Sequence, residues 1–484
     1  MDWSLLLGDF ARFILSFGSE LCDNFRMDTL SELQLKPTQI KTDPESLKYY
    51  GKDWTTYYDI KASAILFPES TADVVAIVQW ARKNKIALIP SGGRTGLSGA
   101  ACATKGEVVI SFEKMNRILN FNVDDSCVDL EPGVITEALQ DFAKEKDLLY
   151  PVDFAASGSS HMGGNIATNA GGIKVVRYGL TRDWVVGLEV VTGAGEILQL
   201  NNGLIKNATG LDLRHLFIGS EGILGFITKA KIKLSPRPPP LKVIVLALDQ
   251  LSNVMKVFSE FKKQMTLQAY EMFSEKALGI VLESTGLSRP FETRTDWYVV
   301  CEVECPNESS EQTIMSVFEN CLENGWVADG VISQSEAQAA TFWRYREDIS
   351  ESLSKYSPYK NDISVAISKV PDIMADLDKV FANAYPTWTV VWFGHIGDGN
   401  LHINILRPEG LSKEDFVKEC RKVDEVVFKA VQKQLGSISA EHGVGLSKKS
   451  FLHYTRSAEE IQLMKQIKKI FDPDHIMNPG KVID

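Results

Sequence analysis

The sequence predicts an α+β protein that divides into at least two domains. The chain has 484 residues, whereas a single hydrophobic core stops growing near ~250–300 residues. Glycine clusters recur from Gly92 to Gly225, and a proline run follows at Ser235-Pro-Arg-Pro-Pro-Pro240. Proline stiffens the backbone and ends regular structure, so this run is the expected domain boundary. Beyond it, strand and helix patterns alternate, as in a sheet backed by helices.

These observations divide the chain into four parts. We expect an N-terminal lead-in at residues 1–40, a first domain at 41–236, an α+β domain at 241–435 and a C-terminal segment at 436–484. Asp2, Asp9 and Arg12 interrupt the apolar residues of the lead-in, so no secretion signal is expected. Met27 opens a run that is typical of a protein start, so residues 1–26 are either an extension or the result of a misplaced start.

Charge and cysteine content restrict the expected partners and compartment. The 52 Lys and Arg residues against 63 Asp and Glu give a net charge of −11, which disfavours nucleic acid and anionic membrane surfaces. The seven cysteines form neither a disulfide framework nor a CxxC metal pattern. The apolar runs are shorter than the roughly 18–20 residues of a transmembrane helix. We therefore expect a cytoplasmic protein without a transmembrane segment.

The first domain begins with a β-α-β pattern. The runs 64–67 and 86–89 predict strands, and Ser70 predicts the N-cap of the helix between them. The glycine loop follows the second strand, whereas a dinucleotide-binding fingerprint requires G-x-G-x-x-G between the first strand and its helix. Gly158 to Gly164 is followed by Asn165 rather than by Lys and Ser or Thr, which excludes a P-loop.

Two glycine-rich stretches are the candidate ligand-binding loops of this domain. They are Pro90-Ser-Gly-Gly-Arg-Thr-Gly-Leu-Ser-Gly99 and Gly158-Ser-Ser-His-Met-Gly-Gly-Asn-Ile-Ala-Thr-Asn-Ala-Gly-Gly172. Loop amides without bulky side chains can point at phosphate oxygens, and glycine lets the backbone approach a ligand closely. A mobile surface loop is the alternative for either stretch taken alone. Two such loops in one domain favour a ligand that contains a diphosphate.

The second domain shows alternating strand and helix patterns. Period-two alternation or short apolar runs predict strands, and apolar residues three and four apart predict helices. Ser457-Ala-Glu-Glu460 is a capping box that opens a helix running to Phe471. The expected strands are 241–248, 297–305 and 327–333, and the other expected helices are 252–263, 309–324, 335–354, 371–384 and 414–435.

The strongest chemical signal is Trp392-Phe-Gly-His-Ile-Gly-Asp-Gly-Asn-Leu-His-Ile-Asn404. Asp398-Gly399 is a two-residue hairpin signal, and folding the chain about it places His395 opposite His402. Directly opposed residues have Cβ atoms roughly 4.5–5.5 Å apart, so both imidazoles could hold one metal ion. Asn404 shares their face. An ordinary polar pair is the alternative for the two histidines alone.

A second motif, Ile438-Ser-Ala-Glu-His-Gly-Val-Gly445, supports the metal hypothesis. Glu441 could complete a site of two imidazoles and one carboxylate with His395 and His402. His442 could accept a proton beside it. Such ligands accept Zn2+, Mn2+ or Co2+, and we expect zinc. A solvated loop is the alternative for Glu441 and His442, and the isolated histidines His161, His215, His453 and His475 are expected to be structural.

Cations near the helix around Phe342-Trp343 are candidates for holding an anionic substrate. Arg346 and Ser350 are four residues apart, so they share a helix face. Lys360 follows in the turn Tyr359-Lys-Asn-Asp362, which leads into a strand. A solvated charge is the usual interpretation of a single Arg or Lys. In an acidic chain, however, an anionic substrate requires local cations.

Seven short motifs follow one another along the chain. They are Pro90–Gly99, 157–172, Asn207-Ala-Thr-Gly-Leu-Asp-Leu213, Phe217-Ile-Gly-Ser-Glu-Gly222, Gly394–His402, Glu441-His442 and Asn478-Pro-Gly-Lys481. Together they resemble the FAD-linked oxidases of the vanillyl-alcohol oxidase/PCMH superfamily, in the branch of D-lactate, glycolate and D-2-hydroxyglutarate dehydrogenases. The resemblance runs from about residue 40 to the C-terminus. It implies a two-part PCMH-type FAD-binding domain, an α+β substrate (cap) domain, and a C-terminal helical segment that returns to the flavin.

By this resemblance, the first and fourth motifs hold the diphosphate and adenine of FAD, the 157–172 stretch wraps the flavin, and Asn478 closes over it. Members with covalently attached flavin carry a histidine where this chain has Arg94-Thr95, so noncovalent FAD is expected. The implied cofactor-binding residues are Pro90, Ser91, Gly92, Gly93, Arg94, Thr95, Gly96, Ser157, Gly158, Gly163, Gly164, Asn165, Thr168, Asn169, Gly172, Glu221, Gly222 and Asn478.

The resemblance also implies an activity, the oxidation of a D-2-hydroxy acid to its 2-oxo acid with metal assistance. D-2-hydroxyglutarate is the expected substrate, with D-lactate or glycolate as the alternative and a metallohydrolase as a rival from another class. The electron acceptor stays open among an electron-transfer flavoprotein, a quinone and a soluble dye-like carrier. Some relatives have threonine where Ser350 stands. The residues that align with the carboxylate-gripping set are Arg346, Ser350, Lys360 and Asn404, and His442 is the expected proton acceptor.

Overall fold

The computed structural model describes residues 29–55 and 57–483. The question of whether residues 1–26 are an extension therefore lies outside the described residues, and so does Cys22. Within the described part, the strands form sheets of four, five and seven strands and a two-stranded ribbon. The helices pack on these sheets, which makes the α+β prediction correct.

The first sheet contains the predicted β-α-β unit. Its order is β1-β2-β4-β3, with β2, β4 and β3 parallel. Ser70 caps the intervening helix by accepting a hydrogen bond from the N–H of Asp73 at 3.2 Å. The glycine loop begins where β3 ends, at the carboxyl edge of the parallel strands. The bounds are β1 Ile40–Lys41, β2 Ala64–Leu66, β3 Leu88–Ser91, β4 Val108–Ser111, α1 Pro44–Tyr50 and α2 Thr71–Asn84.

A second, antiparallel sheet completes the first domain in the order β5-β6-β10-β8-β9. Val128, Val190 and Ile232 lie in its fully buried core. The second glycine stretch forms the short helix α4. The strands are β5 Ile118–Asn122, β6 Cys127–Leu130, β8 Val185–Thr192, β9 Ile197–Leu200 and β10 Gly225–Lys233, with the ribbon β7 Leu148–Leu149 and β11 Ser235–Pro236. The helices are α3 Thr136–Glu145, α4 Met162–Thr168, α5 Val175–Tyr178 and α6 Arg214–Phe217.

The cap domain is built on a seven-stranded antiparallel sheet in the order β15-β12-β14-β13-β17-β18-β16. Apolar residues cover both faces, with Tyr270 and Met272 on one and Phe273 and Phe393 on the other. The strands are β12 Leu241–Leu248, β13 Leu267–Ser274, β14 Trp297–Glu304, β15 Asp329–Ile332, β16 Tyr359–Ser364, β17 Val390–Gly394 and β18 Asn400–Ile405. The helices are α7 Leu251–Gln264, α8 Glu275–Thr285, α9 Glu308–Glu323, α10 Glu336–Glu347, α11 Ile349–Ser354, α12 Val370–Ala384 and α13 Lys413–Lys433.

The C-terminal segment returns to the first domain. After helix α14, Ala458–Phe471, which the capping box at Ser457 opens as expected, Met477 forms a bridge parallel to Leu88. The N–H of Asn478 donates to the carbonyl oxygen of Leu88 at 2.8 Å. Residues 477 and 478 therefore pair with the main chain of β3 in the first sheet.

Three local predictions were wrong. Tyr359-Lys-Asn-Asp362, expected as a turn, forms the first part of β16, because it pairs along its length with β18. The helix expected over 335–354 is interrupted at Asp348, which ends α10 and precedes α11. The hairpin is also out of register, because Phe393 rather than His395 lies opposite His402, and residues 395–399 form the connection. The N–H of Gly397 donates to the carbonyl oxygen of Tyr270 in β13 at 3.1 Å. This contact with a third strand draws the loop out of the hairpin.

No helix within residues 29–55 and 57–483 combines the length and the apolar character that crossing a bilayer requires.

Candidate active site

Two neighbouring strands of the cap sheet carry polar side chains on one face. In the β16–β18 ladder, Lys360 lies opposite Asn404 and Asp362 lies opposite His402. Side chains two residues apart on a strand point to the same side of a sheet. The ladder therefore places Lys360 and Asp362 of β16 beside Asn404 and His402 of β18 on one face of the sheet.

The loop after β17 adds His395 to this group. Its ring centroid lies 5.2 Å from that of His402, and both side chains are buried. The two histidines thus meet, although the register that led to this expectation was wrong.

Glu441 lies between the two histidines. Its Oε1 is 3.1 Å from Nε2 of His395, and its Oε2 is 3.9 Å from Nε2 of His402. One carboxylate therefore faces both imidazoles, as the sequence predicted for these three residues.

Asp362 holds the loop that carries Glu441 and His442. Its Oδ2 accepts hydrogen bonds from the main-chain N–H groups of residues 440–442 at 2.9–3.1 Å. Its Oδ1 accepts one from Nδ2 of Asn400 at 2.8 Å. The carboxylate also lies 3.6 Å from Nδ1 of both His402 and His442. This fully buried side chain therefore fixes the loop and lies beside both rings.

The charges of the cluster shift the pKa values of its side chains in different directions. Burial alone would raise the pKa of Asp362, but His442, Lys448 and His402 outweigh it and hold that pKa well below its usual range. Burial alone would lower the pKa of His395, yet the carboxylates of Glu271 and Glu441 raise it well above the ordinary value. Burial lowers the pKa of His442. A neutral His442 is the form that can accept a proton.

The donors of this cluster fit a divalent metal ion. One ligand atom each from Asp362, His402, Glu441 and His442 lies within 4.8 Å of the others. Both oxygens of Asp362 are already used by N–H donors, so this carboxylate is better suited to orienting ligands than to binding metal. Two imidazoles and one carboxylate, expected from His395, His402 and Glu441, form a set that zinc accepts. Of these three, His402 and Glu441 belong to the group of four.

Arg346 reaches the same region from helix α10. Its guanidinium lies 4.8 Å over the ring of Phe393, and that ring lies 5.0 Å from His402. Nη2 of Arg346 is buried and has no hydrogen-bond partner among the described residues. Oδ1 of Asn404 is unpaired in the same way. A buried donor or acceptor without a partner is costly, so a polar ligand would satisfy both atoms.

The other two candidate substrate residues, Ser350 and Lys360, lie in different elements of the cap domain. Ser350 is half-buried in α11, directly after the break at Asp348. Lys360 lines a cavity of about 300 Å³ together with His442, Lys448 and, from the first domain, Leu97. Burial lowers the pKa of Lys360. The cavity thus joins the glycine loop to the proposed proton acceptor.

The glycine loop after β3 presents unpaired main-chain donors. Among the described residues, the N–H groups of residues 92–98 have no hydrogen-bond acceptor. Arg94 has a φ of 60°, and its side chain turns to Tyr49, whose hydroxyl accepts from Nη2 at 3.0 Å. Consecutive free amides in such a loop form an anion-binding concavity. This loop therefore fits the diphosphate of FAD.

The three glycine motifs of the first domain meet around this loop. A Cβ on Gly93 would collide with the carbonyl oxygen of Ser159, and one on Gly222 would collide with Pro90. A Cβ on Gly164 would meet nothing within 4 Å. The motifs thus pack against one another and leave open space at Gly164, where a flat ligand can lie.

Several predicted cofactor residues have protein partners instead of free polar atoms. Glu221 accepts from the N–H groups of Val444 and Gly445 at 2.6 and 2.9 Å, which ties the first domain to the His442 loop. Burial raises the pKa of Glu221 to about 7. Asn478 donates to the carbonyl oxygen of Glu221 at 2.7 Å and keeps a buried, unpaired Oδ1.

Within the 157–172 stretch, most side chains brace the loop itself. Asn165 donates to Thr136 at 2.6 Å, Thr168 donates to the carbonyl oxygen of Gly164 at 3.0 Å, and Asn169 accepts from the N–H of Arg182 at 3.0 Å. Their roles toward a cofactor stay predictions.

Glu271 and Asp362 belong to the site but were not predicted from the sequence. Glu271 lies in β13 and contacts both His395 and Arg346. The one local signal was an acid at a buried position of an apolar strand, Leu267-Gln-Ala-Tyr-Glu-Met-Phe273. An acid in such a strand requires a partner. Asp362 gave no such signal, because it lies in the polar sequence Tyr359-Lys-Asn-Asp362, which predicted a turn.

Comparisons with known proteins agree with this organisation. Residues 237–482 match the C-terminal domain of FAD linked oxidases, and residues 62–201 match an FAD binding domain. The D-2-hydroxyglutarate dehydrogenase of Stutzerimonas stutzeri (strain A1501) is 52% identical over 462 residues, which covers 96% of this chain and 99% of that protein. The mitochondrial D-2-hydroxyglutarate dehydrogenase of Bos taurus is 34% identical over 94% of this chain and 83% of that protein.

Two solved structures share the fold at low sequence identity. A p-cresol methylhydroxylase structure has a TM-score of 0.75 at 16% identity and covers 95% of this chain and 97% of its own. An alkyldihydroxyacetonephosphate synthase structure has a TM-score of 0.70 at 18% identity, covering 93% and 84%. These likenesses show a common PCMH-type architecture.

Proposed function

This chain belongs to the FAD-linked oxidases, and from that premise we propose that it is an FAD-dependent dehydrogenase that oxidises D-2-hydroxyglutarate to 2-oxoglutarate. The relatives at 52% and 34% identity carry that activity in their names. The observation that carries the substrate assignment is the buried Arg346, whose Nη2 has no partner among the described residues. A second carboxylate on the substrate would satisfy it with a charge-assisted hydrogen bond.

FAD would be bound noncovalently by the 92–98 loop and the 157–172 stretch. When bound, it supplies the two-electron acceptor of the reaction. The free N–H groups of the loop would hold the diphosphate. Arg94 and Thr95 offer no histidine for a covalent bond, and the guanidinium of Arg94 packs 4.4 Å over the ring of Tyr49.

His395, His402 and Glu441 would hold a divalent metal ion, with zinc favoured by the donor set. When bound, such an ion supplies a Lewis acid for the oxygens of a hydroxy acid. His442 would take the proton of the substrate hydroxyl at one of its ring nitrogens. Asp362 fixes the main chain of His442, at 3.1 Å from its N–H, and so holds the ring in place for that task.

The carboxylates of the substrate would be held by Arg346, Ser350, Lys360 and Asn404. Lys360 and Asn404 are paired across the β16–β18 ladder, so they would act from one place. The electron acceptor in this proposal is a carrier such as an electron-transfer flavoprotein or a quinone. The division into a lead-in at 1–40, an FAD domain at 41–236, a cap at 241–435 and a closing segment at 436–484 belongs to the same proposal.

Replacing Arg346 by Met tests the substrate assignment. A hydrogen bond to a charged group contributes roughly 1.5–3 kcal/mol, so kcat/KM for D-2-hydroxyglutarate should fall on the order of 10- to 150-fold. D-lactate lacks the second carboxylate, and its kcat/KM should change little. Arg344→Met is the matched control, because Arg344 lies on the same helix, is exposed and pairs with Asp348 at 3.0 Å. An equal fall for both substrates would mean that Arg346 grips the α-carboxylate, and D-lactate or glycolate would become the better assignment.

A further inference from the structure

Glu271 is a buried carboxylate at the centre of the cap sheet. It lies in the middle of β13, between β14 and β17, and only 1% of its surface is exposed. Phe273, two residues along the strand and on the same face, lies in a buried apolar cluster with Phe393. A charge in such a place is stable only when it is paired. Its partners therefore explain why it is there.

The first partner is His395. Nδ1 of His395 lies 2.9 Å from Oε1 and 2.8 Å from Oε2 of Glu271. The other ring nitrogen, Nε2, faces Glu441 at 3.1 Å. A carboxylate on one nitrogen of a metal-binding histidine fixes the ring and leaves the other nitrogen to the metal. Glu271 stands in that relation to His395.

The second partner is Arg346. Its Nε lies 2.9 Å from Oε2 of Glu271. The N–H is not aligned for a hydrogen bond, so this contact is an ion pair. Together with the ring of Phe393, it fixes the guanidinium on two sides. Nη2 is left free for a ligand.

We propose that Glu271 is a positioning residue that couples the metal-binding imidazole of His395 to the carboxylate-binding guanidinium of Arg346. This inference rests on the proposed function of the same site. One carboxylate holds both groups. It would therefore fix the distance between the guanidinium that binds the distal carboxylate and the metal that binds the hydroxy acid. Glu271 itself touches neither substrate nor metal in this arrangement.

Glu271→Gln tests the coupling, because it keeps the shape and removes the charge. The flavin-loaded enzyme is titrated with zinc against a competing chelator, and kinetics are measured at saturating zinc with D-2-hydroxyglutarate and with D-lactate. Zinc affinity should fall about 10- to 100-fold, the usual effect of losing a residue that orients a metal ligand. At saturating zinc, turnover of D-lactate should recover. KM for D-2-hydroxyglutarate should stay raised by about tenfold, because a misplaced Arg346 would lose part of its hydrogen-bond energy to the distal carboxylate.

The matched control is Glu302→Gln. Glu302 is a buried acid on the next strand, β14, and it pairs with Lys174 and accepts from Nε1 of Trp343 at 3.0 Å, away from both histidines. This variant should keep the zinc affinity and the ratio of the two substrates. The double variant Glu271→Gln with Arg346→Met should raise KM for the diacid no more than Arg346→Met alone, because contacting residues are not additive.

Wild-type zinc affinity in Glu271→Gln, or equal effects on both substrates at saturating zinc, would overturn the inference. A wild-type enzyme that binds no zinc, or does not oxidise D-2-hydroxyglutarate, would instead overturn the proposed function. If the Gln variant does not fold, Glu271→Asp decides the matter. Its charge is retained but lies one methylene further back, so zinc affinity and KM for the diacid should still weaken, and wild-type values of both would refute the coupling.

Discussion

The two binding regions of this molecule use opposite kinds of groups. The flavin-side loop at 92–98 offers main-chain N–H groups that have no acceptor among the described residues. In the cap, buried charged side chains already contact one another, as Glu271 does with His395 at 2.9 Å. The first region is shaped to receive a ligand through the backbone. The second is organised by side chains before any ligand is present.

This difference makes the two regions separable by substitution. Removing a side chain in the cap should remove chemistry and leave flavin in place. Adding a methyl group at Gly164, where the space beside the loop is open, should weaken flavin binding and leave the cap intact.

Removal of the metal should have the largest effect. Lewis-acid assistance contributes several kcal/mol, so chelation should lower turnover by more than ~10³-fold while the protein stays yellow. His395→Ala and His402→Ala should each have the same effect, measured as kcat and as bound metal. His453→Ala, which changes an exposed histidine, is the control. If both site variants keep most of their activity, the histidines form a polar pair rather than a metal site.

Replacement of the proton acceptor should come next. A positioned general base contributes about 10²–10⁴-fold, so His442→Asn should lower kcat by that factor. Metal content, measured on the same sample, should be unchanged. Loss of zinc from this variant would show that His442 is a ligand, as its place within 4.8 Å of His402 and Glu441 would allow.

Gly164→Ala should weaken flavin binding without weakening the fold. Its Cβ would enter the open space beside the glycine loop, and crowding of this kind costs about 1–3 kcal/mol, or roughly 5- to 150-fold in Kd for FAD. Gly279→Ala is the matched control, because Gly279 is also helical and also open on its Cβ side. Equal flavin affinity in both variants would mean that the space at Gly164 is not the cofactor site.

The last prediction concerns how the flavin is attached, which should affect activity least. Acid precipitation should release the flavin into the supernatant, because Arg94 and Thr95 provide no histidine for a covalent bond. Flavin that stays with the pellet would show a covalent link through another residue.

The flavin-side region was predictable from sequence because its signal is local. Gly92 and Gly93 lie in one glycine-rich stretch and Gly164 lies in another, and both stretches can be recognised without knowledge of the fold. The cap site was predictable only in part. Its histidines and Glu441 lie in compact motifs, but the hairpin register failed because β13 competes for the loop through Gly397.

Glu271 and Asp362 could not be assigned from sequence, because their roles consist of contacts with distant residues. Asp362 matters through the N–H groups of residues 440–442, and Glu271 matters through His395 and Arg346. The sequence around Glu271 and Asp362 does not indicate these contacts. Only the order of strands in the cap sheet brings these groups together.

Anaerobic reduction of the bound flavin tests the proposed oxidation of D-2-hydroxyglutarate without the need for an electron acceptor. The absorbance of the oxidised flavin is followed after mixing with D-2-hydroxyglutarate, L-2-hydroxyglutarate or D-lactate. We expect rapid bleaching by D-2-hydroxyglutarate, none by its L enantiomer, and slower bleaching by D-lactate. An absence of bleaching with every D-2-hydroxy acid, or faster bleaching by D-lactate than by the diacid, would contradict the proposed function.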